Sequence, residues 1–75
     1  MRVLTDGLIE IWIYPGDAEK FVRCFFGEME VDINLLDLSE FVVYEPSNRI
    51  FERKATQVVS LHQRYLLERW DEMNG

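Results

Sequence analysis

One histidine, one cysteine, a row of three carboxylates and a short basic cluster are the residues of this 75-residue chain that could do chemistry. His62 is the ring that could exchange protons near neutral pH. With Arg49, Arg53 or Lys54 it would make a small hydrolase or RNase-like site, so His62 is the candidate catalytic residue. It falls on the apolar stripe of a helical stretch, however, and that position favours a packed ring making one hydrogen bond. Cys24 lies in Arg23-Cys24-Phe25-Phe26 beside one cation and otherwise among apolar residues, the setting of a buried, inert thiol. Glu28, Glu30 and Asp32 recur every second residue, which on a strand sets their carboxylates about 7 Å apart. Such a row can hold a hard cation, present a partner with a patterned acidic surface that imitates a phosphate backbone, or keep an exposed sheet from aggregating. No metal site is expected, because no Cys/His cluster has zinc spacing, and no cofactor motif stands out.

These residues must be positioned by a small set of elements. Gly7 to Tyr14 alternates Ile9, Ile11 and Ile13 against Glu10, Trp12 and Tyr14, the period of a strand. Pro15-Gly16-Asp17 supplies a turn. Residues 19–26 resume an extended pattern with both faces largely apolar, as a central strand would have. Met29, Val31, Ile33 and Leu35 then alternate with Glu30, Asp32 and Asn34 in a strand over 28–36, and Phe41-Val42-Val43-Tyr44 gives a fourth over 41–44. Beyond Pro46 the period changes to about 3.6, with Phe51, Ala55, Val58/Val59, His62, Leu66, Trp70 and Met73 on one stripe. That stripe predicts a helix over 48–73, capped by Ser47 or Asn48 and ended at Asn74-Gly75, with a break near Ala55-Thr56 as the variant. The expected fold is α+β, a single domain over 1–75. It is a three- or four-stranded antiparallel meander against one long C-terminal helix, because one sheet and one helix can each bury an apolar side only against the other.

Charge narrows the function classes. Of the net −6, residues 1–48 carry ten acidic side chains against Arg2, Lys20 and Arg23, whereas from Arg49 onward five basic residues face four acidic ones. Acidity thus belongs to the strand half. Binding to nucleic-acid phosphates would need the opposite sign over a broad face, so nucleic acid is not an expected partner. No run reaches the roughly 18 apolar residues of a membrane span, and a lone cysteine fits a reducing, cytoplasmic setting. The aromatics, 13% of the chain, exceed what one side of a small sheet can enclose. Trp12, Tyr14 and Phe25 are therefore expected, with Glu28, Glu30 and Asp32, to face a small protein partner or a second copy in a homodimer.

The stretch Val59 to Trp70, with His62, Leu66, Leu67 and Trp70 in register, resembles the C-terminal helix of a family of small bacterial proteins whose members read Trp-x-x-x-His-x-x-x-Leu-Leu-x-x-Trp there. The Gly7–Tyr14 strand, the Gly27–Ile33 strand and the proline-containing connection follow the same order, so the resemblance spans about residues 7–73. The family's activity is undefined, and its members are suggested halves of toxin–antitoxin-like pairs. The resemblance implies a small interaction protein of bacterial or mobile-element origin. One departure limits what it carries. The family's His-x-x-Pro-Pro-His-Phe-His motif is replaced by Pro15-Gly16-Asp17-Ala18-Glu19-Lys20-Phe21, so no imidazole chemistry transfers to this chain. The sequence therefore points to a non-enzymatic interaction module.

Overall fold

The computed structural model describes residues 1–16 and 18–75; Asp17, in the expected turn after Pro15, lies outside the described residues. Among these residues the chain forms β1 (Arg2–Asp6), β2 (Ile9–Trp12), β3 (Phe21–Phe26), β4 (Met29–Asn34), β5 (Glu40–Val43), α1 (Arg49–Leu61) and α2 (Gln63–Asn74). The strands pair antiparallel in chain order, making one five-stranded meander with β3 at its centre. The α+β class and the four expected strands are present. A fifth strand, β1, precedes them, and the single helix is two.

Two hairpins fix the register of the first four strands. Asp6 pairs with Ile9 and Phe26 with Met29, leaving Gly7-Leu8 and Gly27-Glu28 as two-residue loops. Each loop begins on a glycine with positive φ, 61° and 59°, which suits the twist of the flanking strands at little steric cost. The β1 strand escapes period-two reading because its pairing with β2 shifts register between Arg2 and Leu4. Val3 and Leu4 consequently both lie half-buried against the core, and no alternation is left to see.

Helix α1 starts where expected: the Asn48 side chain accepts the Phe51 N–H at 2.8 Å, satisfying an amide that the first turn leaves unpaired. The break falls at His62, not near Ala55-Thr56. There the backbone N–H is shared between the carbonyls of Val58 and Val59, both at 3.2 Å, and φ reaches −112°. No proline or glycine marks this point, and the apolar stripe continues across it, so periodicity alone predicts a single helix. Past the joint, Gln63 donates from its side chain to the Leu35 carbonyl at 2.7 Å and docks α2 on the end of β4.

Both helices lie on one face of the sheet. Ile11, Ile13, Val22, Val31, Ile33 and Leu35 meet Phe51, Ala55, Val59, Leu66 and Trp70 there, all buried. Cys24 sits fully buried within the same layer. Burial pushes its thiol up to about 12, with a smaller contribution from the charge of Asp32; it is therefore protonated and unreactive at neutral pH.

Candidate functional site

Among the described residues the opposite face of the sheet has no helix over it, and the unusual chemistry of the molecule collects there. In the β3/β4 ladder Leu35 donates to Lys20 O at 2.8 Å, and Arg23 stands opposite Asp32. Alternation makes Arg23 and Asp32 a non-hydrogen-bonded pair, the kind whose side chains approach more closely. Arg23 takes the carboxylate with two bonds, Nε to Oδ1 at 2.8 Å and Nη2 to Oδ2 at 3.3 Å. Tyr44, just past β5, closes the ring: its hydroxyl accepts from Arg23 Nη2 at 2.7 Å and donates to Asp32 Oδ2 at 3.0 Å.

Asp32 is only 1% exposed although it lies on the helix-free side. Arg23 and Tyr44 roof it. The guanidinium lies over both phenol rings, 5.3 Å from the Tyr14 centroid and 5.0 Å from that of Tyr44, so cation–π contacts add to the ion pair. The hydrogen bond to Asp32 holds Arg23 protonated well beyond the usual range, outweighing its partial desolvation. Desolvation first, then the bond to Asp32, raises the Tyr44 hydroxyl. A buried pair so satisfied contributes less to stability than its bonds imply, because desolvation offsets them. What it does secure is geometry: side chains from β3, from β4 and from the residue after β5 are held in one arrangement.

Aromatic rings extend the floor on both sides of this cluster. Trp12 stacks on Tyr14 at 6.2 Å and meets Phe25 edge-on at 6.1 Å, and its indole N–H donates to Glu10 at 3.1 Å. Toward β5, Phe21 stacks on Phe41 at 5.1 Å. A shallow groove of about 340 Å³ crosses Leu8, Glu10, Trp12, Tyr14, Phe25 and Gly27. Offset and edge-on pairs of this kind keep large rings in fixed positions while leaving part of each face available.

The expected partner-binding residues divide here. Trp12, Tyr14 and Phe25 share this face, half-buried, with Trp12 against each of the other two. The carboxylate row does not survive as a row. Glu28 belongs to the hairpin loop, Glu30 lies 3.7 Å from Arg23 Nε, and Asp32 is enclosed by Arg23 and Tyr44. The reading of Asp32 as a solvated or partner-facing carboxylate is thus corrected, because alternation assigns a face but not the neighbour across the ladder. Tyr44 and Arg23 are the members that sequence reasoning missed. The Gly27-Glu28 loop was the available signal: counting back from it sets position 23 against 32.

His62 lies on the other side of the sheet, at the helix joint. Its Nε2 is 3.1 Å from Asp6 Oδ2 on β1. Arg49 and Arg53 line a separate groove with Glu40 and Glu52, while Lys54 lines an apolar groove with Asp6, Leu8 and Ile50. Among the described residues no three His, Cys, Asp or Glu side chains are grouped so as to hold a metal ion, and no helix is long and apolar enough to cross a membrane. In comparisons with known proteins the chain matches no family model, no curated protein and no solved structure.

Proposed function

We propose that the protein is an interaction module that docks another protein on the helix-free face of its sheet. The observation that carries this reading is the Arg23–Asp32–Tyr44 cluster with Trp12, Tyr14 and Phe25 around it. Large aromatic side chains and an arginine, pre-ordered by bonds among themselves, are the residue types that dominate binding energy at protein interfaces. Pre-ordering lowers the side-chain entropy lost on association. The carboxylates Glu10 and Glu30 on this face, and the −7 carried by residues 1–48, favour a basic partner through electrostatic complementarity. A role as one half of a toxin–antitoxin-like pair belongs to this proposal as its cellular setting.

A photo-crosslinking residue at position 12, compared with one at the fully solvated helix position Arg64, tests the reading in cells. Adducts are expected from position 12 alone. The adduct protein, once purified, should bind the unmodified chain and lose about tenfold or more in affinity to Trp12→Ser. Equal adducts from both positions, or none from either, would remove the proposal.

A further inference from the structure

The two edges of the sheet are finished differently. β1 is tied down along its length: Arg2 pairs with Glu10 at 3.9 Å, the Val3 carbonyl accepts from the Tyr65 hydroxyl at 3.3 Å, and Asp6 holds His62. A register shift also interrupts its ladder. These are the devices by which natural sheets close an edge. β5 has fewer of them. All four of its residues are exposed, with Phe41, Val42 and Val43 at 46, 37 and 41%, and its irregularity between the partners of Asp32 and Ile33 lies at the Phe41 end. The Val42-Val43-Tyr44 stretch carries no charge or proline.

Backbone direction follows from the ladder. Tyr44 N–H donates to Glu30 O at 3.3 Å and Val43 stands opposite Val31, so alternation turns the N–H and C=O of Val43 away from β4, toward open solvent. An apolar edge with outward backbone groups is a template for strand addition. It is also continuous with the aromatic floor, because Val42 and Tyr44 lie on the same side of the sheet as Arg23.

Charge selects the occupant. From Leu35 to Asn48 the chain holds Asp37, Glu40 and Glu45 and no Lys or Arg, and with Glu52, Arg49 and Arg53 of α1, which share a groove with Glu40, the edge keeps a net negative charge. Two copies paired antiparallel about a two-fold would bring the Glu40 end of one strand to the Glu45 end of the other, like charge against like. We propose that β5 accepts, as a sixth strand, an extended segment of another protein whose apolar residues alternate and whose ends carry Lys or Arg. This rests on the reading of the protein as an interaction module but uses a different surface, so the two can fail separately.

The test is an NMR titration of the 15N-labelled chain with the end-blocked peptide Lys-Val-Tyr-Val-Thr-Val-Lys and with its counterpart bearing Glu at both ends. Amide shifts are expected at Val42 to Glu45, with slowed exchange at Val43. The basic peptide should bind roughly fivefold tighter, the size that two solvent-exposed ion pairs supply. Val43→Pro, at an edge position whose N–H the ladder does not use, should abolish binding. Should that variant fail to fold, Glu45→Lys at an exposed site still decides, since it turns one of the two attractive ends repulsive and should erase the preference between peptides. Equal binding of the two peptides by the parent chain, a preference unchanged in Glu45→Lys, absence of binding, or concentration-dependent shifts at Val43 without peptide would overturn the proposal. Shifts confined to Trp12, Tyr14 and Phe25 would overturn it while leaving the open-face reading in place.

Discussion

Beneath the helices the sheet presents isoleucines, valines and a protonated thiol, and it is covered by apolar side chains of α1 and α2. On its other side the same strands present an arginine, a carboxylate and a ring of aromatics, with no helix above them among the described residues. The covered face is held by burial, which is non-directional and tolerates rearrangement of similar volumes. The open face is held by bonds with fixed partners, and a change in one leaves the others exposed to cost. On the proposed reading as an interaction module, a surface offered in the same form to each partner gains from the second kind of order, whereas stability comes mainly from the first.

Six variants should separate the faces. The largest belongs to the covered side: Trp70→Ala, a nearly fully buried site, is expected to cost about 3–5 kcal/mol and leave most of the chain unfolded in a thermal melt followed by circular dichroism. Asp32→Ala should cost roughly 2 kcal/mol, since Arg23 loses its partner but keeps some access to water. The paired change Arg23→Met with Asp32→Leu should return to within about 1 kcal/mol of the parent. If the pair is as damaging as the single change, the open face is not held by a self-contained polar unit.

Alkaline titration of stability distinguishes the faces by group. Between about 9, the ordinary thiol value, and about 12, only the unfolded chain releases the Cys24 proton. The folded state therefore loses stability as pH rises through that window, by about 1 kcal/mol at pH 10. Tyr44, raised from 10.0, adds a loss of the same sign at higher pH. Cys24→Val should flatten the first part in urea denaturation series and Tyr44→Phe the second; an unchanged profile in either variant would mean that the group is not the one titrating. Smallest is Trp12→Ser, expected to lower stability by no more than about 1 kcal/mol, the worth of its ring contacts. A loss as large as that of Trp70→Ala would make the open face part of the core.

How far the sequence reads depends on which interaction sets each feature. Ile9, Ile11 and Ile13, and the stripe from Phe51 to Trp70, report their burial directly, because a half-buried strand or helix must repeat with its own period. Features set by a neighbour across space do not. The joint at His62 leaves the stripe intact, the bulge after Arg2 erases the alternation of β1, and Asp32 looks solvated until Arg23 is placed opposite it. The aromatic surface was legible as an excess over what one side of the sheet could enclose. Its polar centre was not, since Tyr44 arrives from just past β5, twelve residues beyond Asp32.

The closed ring of Arg23, Asp32 and Tyr44 also constrains how such a sequence can change over time. Each side chain satisfies the other two, so a lineage that loses one of them passes through a destabilised ancestor before it can lose the rest. Homologues should carry all three residues or replace them together with apolar ones, and chains caught with a single member missing should be rare and should compensate elsewhere.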